Sequence, residues 1–146
     1  MEKKNILDKR IVELSIKIRF NAAHRYSIEE LDEEENKKIF GKDYSVYPHG
    51  HTYKLIVGVK GEVDIKTGMV VNFNKLEEII NEKLIRKIDK KYLNKEIDYF
   101  SKNVPTLENI TYYIWSELES MLEPLRLVKV SLYEDEVKYA EIIDSL

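Results

Sequence analysis

Two long segments of the chain alternate apolar and polar residues, and this alternation limits the possible folds more than any other feature of the sequence. In IVELSIKIRFNAAHR the even positions of Val12–Ala22 are apolar and the odd positions of Glu13–Asn21 are polar. In HGHTYKLIVGVKG the odd positions of Tyr53–Val59 are apolar. A period of two is typical of strands that bury one face. The sequence therefore predicts two long, half-buried strands.

Other segments follow a helical period. Asn74 fits a helix N-cap, and the apolar stripe that follows predicts a first helix whose buried positions are Phe73, Leu76, Ile80, Leu84 and Ile88. A second helix is predicted after Pro105, with Thr106 as its cap and a buried row of Leu107, Ile110, Ile114, Leu118 and Met121. The acid-rich segment between the two long strands predicts a short helix around Ser27–Lys38.

The chain ends in LVKVSLYEDEVKYAEIID, which predicts a hairpin of two strands around a turn at Asp135 and Glu136. MVVNF, at residues 69–73, indicates a further short buried strand. Together the elements predict an α+β fold, with an antiparallel four-stranded sheet and two helices on one face. The length of 146 residues suits a single domain over residues 1–146.

Composition excludes several classes of protein. The net charge of -3, with 24 basic and 27 acidic residues intermixed, argues against a nucleic-acid partner. The absence of cysteine excludes disulfides and thiolate metal ligands. The N-terminal residues are too charged for a signal peptide, and no apolar run reaches the ~20 residues that span a membrane. We therefore expect a cytoplasmic protein with no membrane partner.

All three histidines of the chain fall on the predicted buried faces. His24 ends the first long strand, and His49 and His51 begin the second, so antiparallel pairing would bring them together. Buried imidazoles need partners, and a zinc ion would satisfy three at once while leaving a fourth position open. The alternative is three separate histidines, each hydrogen-bonded or half-exposed. Their shared face favours a metal site of the catalytic or ligand-binding type.

Several motifs occur in the order and spacing of one known family: FNAAHR, NKKIFGK followed by HGHTYKL, GMVVNF, IDKKYLN, PTLEN and SLYEDEVKYAEI. Over nearly its whole length the chain resembles the 6-pyruvoyltetrahydropterin synthases, a family that includes 6-carboxytetrahydropterin synthase. The resemblance implies a tunnelling fold, in which subunits close into a barrel and assemble as a trimer or hexamer. It also implies Zn²⁺ on His24, His49 and His51, and a reduced pterin bound between subunits.

Three residues are candidates for binding the pterin. Glu134 ends an otherwise apolar row on the predicted strand, and the resemblance implies that its carboxylate accepts two hydrogen bonds from the pterin ring. The alternative is a solvated acid at a strand end. Thr106 offers a hydroxyl contact from the helix start, although capping alone would explain it equally well. Glu108 is similar to a family glutamate near the pocket, although an acid is also favoured at a helix N-terminus.

The catalytic residues depart from the family pattern. Asp43 stands where the animal enzymes carry a cysteine base, and Lys90 follows Asp89 where the family has a histidine. We take Asp43, Asp89 and Lys90 as catalytic candidates, with Tyr47 as another possible source of protons. A paired-lysine loop is, however, more often a solvated surface. Some members cut the side chain with a carboxylate that sits closer to HGH, where this chain has Val46.

Two functions from different classes follow from these residues. The first is a zinc-dependent lyase or synthase that acts on 7,8-dihydroneopterin triphosphate or a related reduced pterin, with side-chain cleavage to 6-hydroxymethyl-7,8-dihydropterin as a variant. The second is a catalytically inactive hexamer that binds zinc and pterin. Turnover of the triphosphate separates the two.

Overall fold

A five-stranded sheet forms the centre of the protein in the computed structural model, which describes residues 9–144. The strand order is β3-β1-β2-β4-β5, and all neighbours are antiparallel except β3, which runs parallel to β1. The strands are β1 (Ile11–His24), β2 (His49–Glu62), β3 (Lys91–Tyr92), β4 (Arg126–Tyr133) and β5 (Tyr139–Ile143). The α+β class is confirmed, and the predicted number of four strands is wrong by one.

The additional strand, β3, is created by a contact with the end of β1. Lys90 has a left-handed backbone with φ of 61°, and its N–H donates to the carbonyl of Asn21 at 2.6 Å. The next two residues then pair with Ala22 and Ala23 of β1. Because a strand of two residues has no period of its own, the sequence pattern could not indicate it.

The two long strands pair as the alternation predicts. β1 and β2 form one continuous antiparallel ladder, in which Phe20 lies opposite Tyr53 and His24 lies opposite His49. The predicted buried face of β2 is confirmed, since Tyr53 and the three apolar positions after it on that face are all 0% exposed. Because of this pairing, all three histidines lie at one end of the sheet.

The helices are α1 (Glu33–Phe40), α2 (Phe73–Ile80), which continues through a π turn (Asn81–Ile85) into α3 (Arg86–Ile88), then α4 (Leu93–Glu96), α5 (Tyr99–Lys102) and α6 (Leu107–Glu119). The segment from α2 to α3 and helix α6 cover one face of the sheet. The predicted helical rows supply the core, because Leu76, Ile80, Leu84, Ile88, Ile110, Ile114 and Leu118 are buried against the sheet. No helix in this described part of the chain is long and apolar enough to cross a membrane.

The start of α2 differs from the prediction. The cap is Asn72, whose Oδ1 accepts from the N–H of Asn74 at 2.8 Å, so the predicted cap at Asn74 is wrong by two residues. Phe73 is the first helical residue and is 48% exposed instead of buried. The predicted strand over residues 69–73 is also wrong, because this segment leads out of a turn directly into the helix.

The first helix begins later in the chain than predicted. α1 follows Asp32, whose carboxylate accepts from the N–H of Glu35 at 2.8 Å while the Glu35 side chain accepts from the N–H of Asp32. This capping box starts the helix at Glu33 instead of near Ser27, because it satisfies two backbone donors at once. The helix ends at Phe40, just before the candidate base Asp43.

The terminal hairpin is confirmed. The Oδ1 atom of Asp135 accepts from the N–H groups of Val137 and Lys138 at 2.8 and 2.7 Å, and this closes the predicted turn. The N–H of Glu134 donates to the carbonyl of Lys138 at 3.0 Å. The hairpin therefore holds the backbone of Glu134 in place at the end of β4.

Candidate metal centre and active site

The three histidines converge at one end of the sheet. One ring nitrogen from each of His24, His49 and His51 lies within 4.8 Å of the other two. The Nε2 atoms of His24 and His49 are only 3.1 Å apart. The predicted convergence is confirmed, and it follows from the β1–β2 register, which places His24 beside His49 and Ala22 beside His51.

His24 is held in one tautomer. Its side chain is fully buried, and its Nδ1–H donates to the carbonyl of Pro105 at 2.7 Å. Since a carbonyl can only accept, the proton must lie on Nδ1, and Nε2 presents a lone pair to the other imidazoles. The pKa of His24 is lowered to about 4, chiefly by burial and also by the neighbouring His49 and His51, in spite of the bond to Pro105. His24 is therefore neutral at physiological pH, as a metal ligand must be.

His51 and Glu134 lie beside this pair of imidazoles. The Nε2 atom of His51 is buried and has no hydrogen-bond partner in the described chain. The Oε1 atom of Glu134 lies 3.4 Å from this nitrogen and 3.6 Å from Nε2 of His24. Burial lowers the pKa of His51, against the opposing effect of the Glu134 charge. One nitrogen from each imidazole lies close enough to the other two for the cluster to hold a divalent metal ion, with the Glu134 oxygen beside it.

Glu134 lies beside the imidazoles and is not the solvated acid of the alternative interpretation. Its side chain is only 10% exposed, and its carboxylate faces the histidine cluster. The sequence pattern indicates only that this carboxylate ends an apolar row. It could not show that the row ends beside two imidazoles, because that distance depends on how β2 and β4 pair.

Tyr26 is a site residue that the sequence pattern did not single out. Its ring centroid lies 5.3 Å from that of His24, and it stacks on Phe40 of α1 at 5.8 Å. Burial raises the pKa of Tyr26 to about 12, and the charges of Glu134, Asp43 and Glu108 contribute to the increase. The only sequence feature that could have indicated Tyr26 as a site residue is its position two residues after His24. The three acidic candidates therefore lie near enough to this tyrosine for their charges to act on its hydroxyl.

The remaining pterin-binding candidates lie at the start of α6. Thr106 caps this helix, with its Oγ1 accepting from the N–H of Asn109 at 3.1 Å, so the capping explanation holds for that residue. Glu108 is exposed in the first turn. The residue before the cap, Pro105, is the one that accepts from His24. The carbonyl of Pro105 thus connects the start of α6 to His24 in the metal centre.

Asp89 and Lys90 occupy a different place. Asp89 accepts from the N–H of Asn21 through Oδ1 at 2.9 Å, and Lys90 lines a cleft of about 600 Å³ that also borders His51. Within the described chain, no hydrogen bond or ion pair joins either residue to the three imidazoles. Their predicted catalytic role stays a prediction, and within one chain Asp89 serves to attach the loop to β1.

The metal assignment leads to a direct prediction. We expect about one tightly bound zinc per chain, and the His49→Ala variant should lose most of it, because the remaining imidazoles and the nearby carboxylate leave the ion incompletely coordinated. Metal analysis after dialysis measures this. Thr52→Ala is the control, since Thr52 lies on the opposite face of β2 and bonds Asn21. Full retention of zinc by the His49 variant would contradict the assignment.

Comparisons with known proteins agree with this geometry. The model of the family described as 6-pyruvoyl tetrahydropterin synthase matches residues 13–144. The 6-pyruvoyl tetrahydrobiopterin synthase of Homo sapiens is 41% identical over 122 residues, which are 84% of each chain. A dihydroneopterin monophosphate aldolase of Pyrococcus furiosus is 34% identical over 116 residues, which are 79% of this chain and 82% of that one.

A solved structure is also similar. The structure of Caenorhabditis elegans 6-pyruvoyl tetrahydropterin synthase superposes with a TM-score of 0.83 at 33% identity, and the match covers 92% of this chain and 96% of that one. The family match extends from the strand that carries His24 to the hairpin that carries Glu134. The chain belongs to the 6-pyruvoyl tetrahydropterin synthase family.

Proposed function

We propose that the protein is a zinc-dependent lyase of tetrahydropterin biosynthesis that acts on 7,8-dihydroneopterin triphosphate or a related reduced pterin. The observation that carries the proposal is the convergence of three imidazoles with the carboxylate of Glu134 at one end of the sheet. Family membership supports the substrate class, because several matched relatives are 6-pyruvoyl tetrahydrobiopterin synthases.

Each residue has a distinct proposed role. His24, His49 and His51 hold the metal, which when bound would polarise hydroxyl groups of the substrate side chain and ease their deprotonation. Glu134 recognises the pterin ring by accepting from its N–H groups. Asp43 moves a proton at the substrate side chain, in place of the family's cysteine. Thr106 and Glu108 contact the pterin from the start of α6.

A second enzymatic outcome has specific support. Cleavage of the carbon–carbon bond of the side chain would give 6-hydroxymethyl-7,8-dihydropterin, as an aldolase does. Two observations favour it: the cysteine position is occupied by the carboxylate of Asp43, and one matched relative is a dihydroneopterin monophosphate aldolase. A non-catalytic protein that binds zinc and pterin is the alternative from another class.

Oligomerisation is part of the proposal. Apolar side chains remain exposed at the end of the sheet away from the histidines, where Val12, Met69 and Phe73 are 42, 40 and 48% exposed and border a cleft of about 330 Å³. A surface of this kind supports contact with another copy of the chain. We propose a homo-trimer or homo-hexamer, and the barrel closure and the cytoplasmic location both stay predictions.

One experiment tests these functions together. The zinc-loaded protein is incubated with 7,8-dihydroneopterin triphosphate, and the pterin product is identified by mass. Loss of triphosphate from the side chain indicates the synthase reaction, whereas 6-hydroxymethyl-7,8-dihydropterin indicates carbon–carbon cleavage. The metal-depleted His49→Ala variant serves as the inactive control. Tight pterin binding with no product from the zinc-loaded parent would overturn the lyase proposal in favour of the binding protein.

A further inference from the structure

Tyr53 carries a hydroxyl that its surroundings do not use. The side chain is 0% exposed, and its ring stacks on Phe20 with centroids 5.1 Å apart and planes 12° apart. Among the residues that the structure describes, nothing forms a hydrogen bond with the hydroxyl. A phenylalanine would fill the same space without leaving a buried donor unpaired, which costs stability. Packing alone therefore does not explain the hydroxyl.

The strand register places Tyr53 beside Glu134. β2 pairs with β4 so that Lys54 lies opposite Tyr133 and Leu55 lies opposite Leu132. One further step in the same register puts Tyr53 opposite Glu134 on the helix-covered face. Side chains at such opposing positions have Cβ atoms about 5 Å apart. The two side chains thus lie across from each other on neighbouring strands, and burial together with the Glu134 charge raises the pKa of the Tyr53 hydroxyl.

Glu134 is close enough to the histidine cluster to act as a metal ligand instead of binding a pterin. Its Oε1 atom lies 3.4 and 3.6 Å from two imidazole nitrogens, and it is an oxygen donor of a kind that zinc accepts. A carboxylate used as a fourth ligand would close the metal site and could not also accept two bonds from a pterin ring. A donor fixed on the neighbouring strand would resolve this competition.

We propose that, when metal and ligand are bound, the Tyr53 hydroxyl is a positioning donor that holds the Glu134 carboxylate away from the imidazoles and toward the ligand. Tyr53 touches neither reacting atoms nor metal in this role and acts only through Glu134. A metal held by the three imidazoles would then keep an open coordination position. The carboxylate would keep the orientation in which it accepts hydrogen bonds from the ligand. The part of this inference that concerns the pterin rests on the proposed function, whereas the part that concerns the metal does not.

A double-mutant cycle on zinc affinity tests the metal part. The parent, Tyr53→Phe, Glu134→Gln and the double variant are titrated with zinc against a chromophoric chelator. We expect Tyr53→Phe to bind zinc about tenfold more tightly, because the released Glu134 becomes a fourth ligand, and we expect the double variant to lose this gain. Unchanged zinc affinity in Tyr53→Phe, or a gain that persists in the double variant, would overturn the proposal.

Pterin binding and thermal stability test the second part. With 7,8-dihydroneopterin as the probe, Tyr53→Phe should bind about tenfold more weakly, while the melting temperature of the metal-free variant stays equal to that of the parent or rises. Tyr133→Phe is the matched control, because it removes a hydroxyl next to Glu134 in a ring stacked on Tyr139. A lower melting temperature together with weaker binding would show a packing role and overturn the proposal.

Failure of the proposed function has a separate signature. If the zinc-loaded parent does not bind 7,8-dihydroneopterin at all, the pterin function fails. The zinc titrations still decide the role of Tyr53 in that case, because they use the metal alone.

Discussion

Replacement of Glu134 by glutamine is expected to weaken the binding of a reduced pterin by about 1 to 3 kcal/mol, while zinc content and assembly stay unchanged. The carboxylate supplies two acceptors to ring N–H groups, whereas an amide would turn an N–H group toward one of those donors. The site excludes most water, since the Glu134 side chain is 10% exposed, so solvent would compensate poorly for the lost acceptor. Fluorescence titration with 7,8-dihydroneopterin measures the change.

The matched control for this variant is Glu136→Gln. Glu136 lies in the turn of the same hairpin and is exposed, so the same chemical change there should leave pterin affinity unaltered. Normal pterin binding by the Glu134 variant would place the recognition elsewhere and would put the proposed pterin function itself in doubt.

The Asp43→Asn variant should lose turnover by about a hundredfold or more and keep its affinity for the pterin. Asp43 lies in the short turn after α1, exposed, and its charge reaches Tyr26 at the edge of the histidine cluster. As the proposed base it would contribute to proton transfer and little to recognition. Steady-state rates with the triphosphate substrate, together with a binding titration on the same preparations, separate the two effects.

Asp98→Asn is a suitable control, because Asp98 is an exposed aspartate whose side chain caps no helix. It should retain the turnover of the parent. Full activity in the Asp43 variant would mean that the base lies elsewhere, with Tyr47 and Lys90 as the next candidates. Tyr47 is 78% exposed and Lys90 borders the cleft beside His51, so both are accessible to a substrate.

Much of the fold could be predicted because it follows from local periodicity. A period of two in β1 and β2, helical rows of buried leucines and isoleucines, and turn chemistry at Asp135 are each properties of a few neighbouring residues. The predictions fail where a distant contact decides the local structure. β3 exists because Lys90 bonds to Asn21, which lies far earlier in the chain, and residues 69–73 have no strand beside them to pair with among the described residues.

The metal centre shows the same division. The sequence by itself determined that His24, His49 and His51 share one face, because side chains alternate along a strand and the two strands point in opposite directions. Only the tertiary structure decided how the imidazoles are prepared for a metal. It brings Pro105, 81 residues away, to the Nδ1–H of His24, and it brings β4 beside β2 so that Glu134 approaches His51. These contacts depend on packing between distant segments, which no local pattern records.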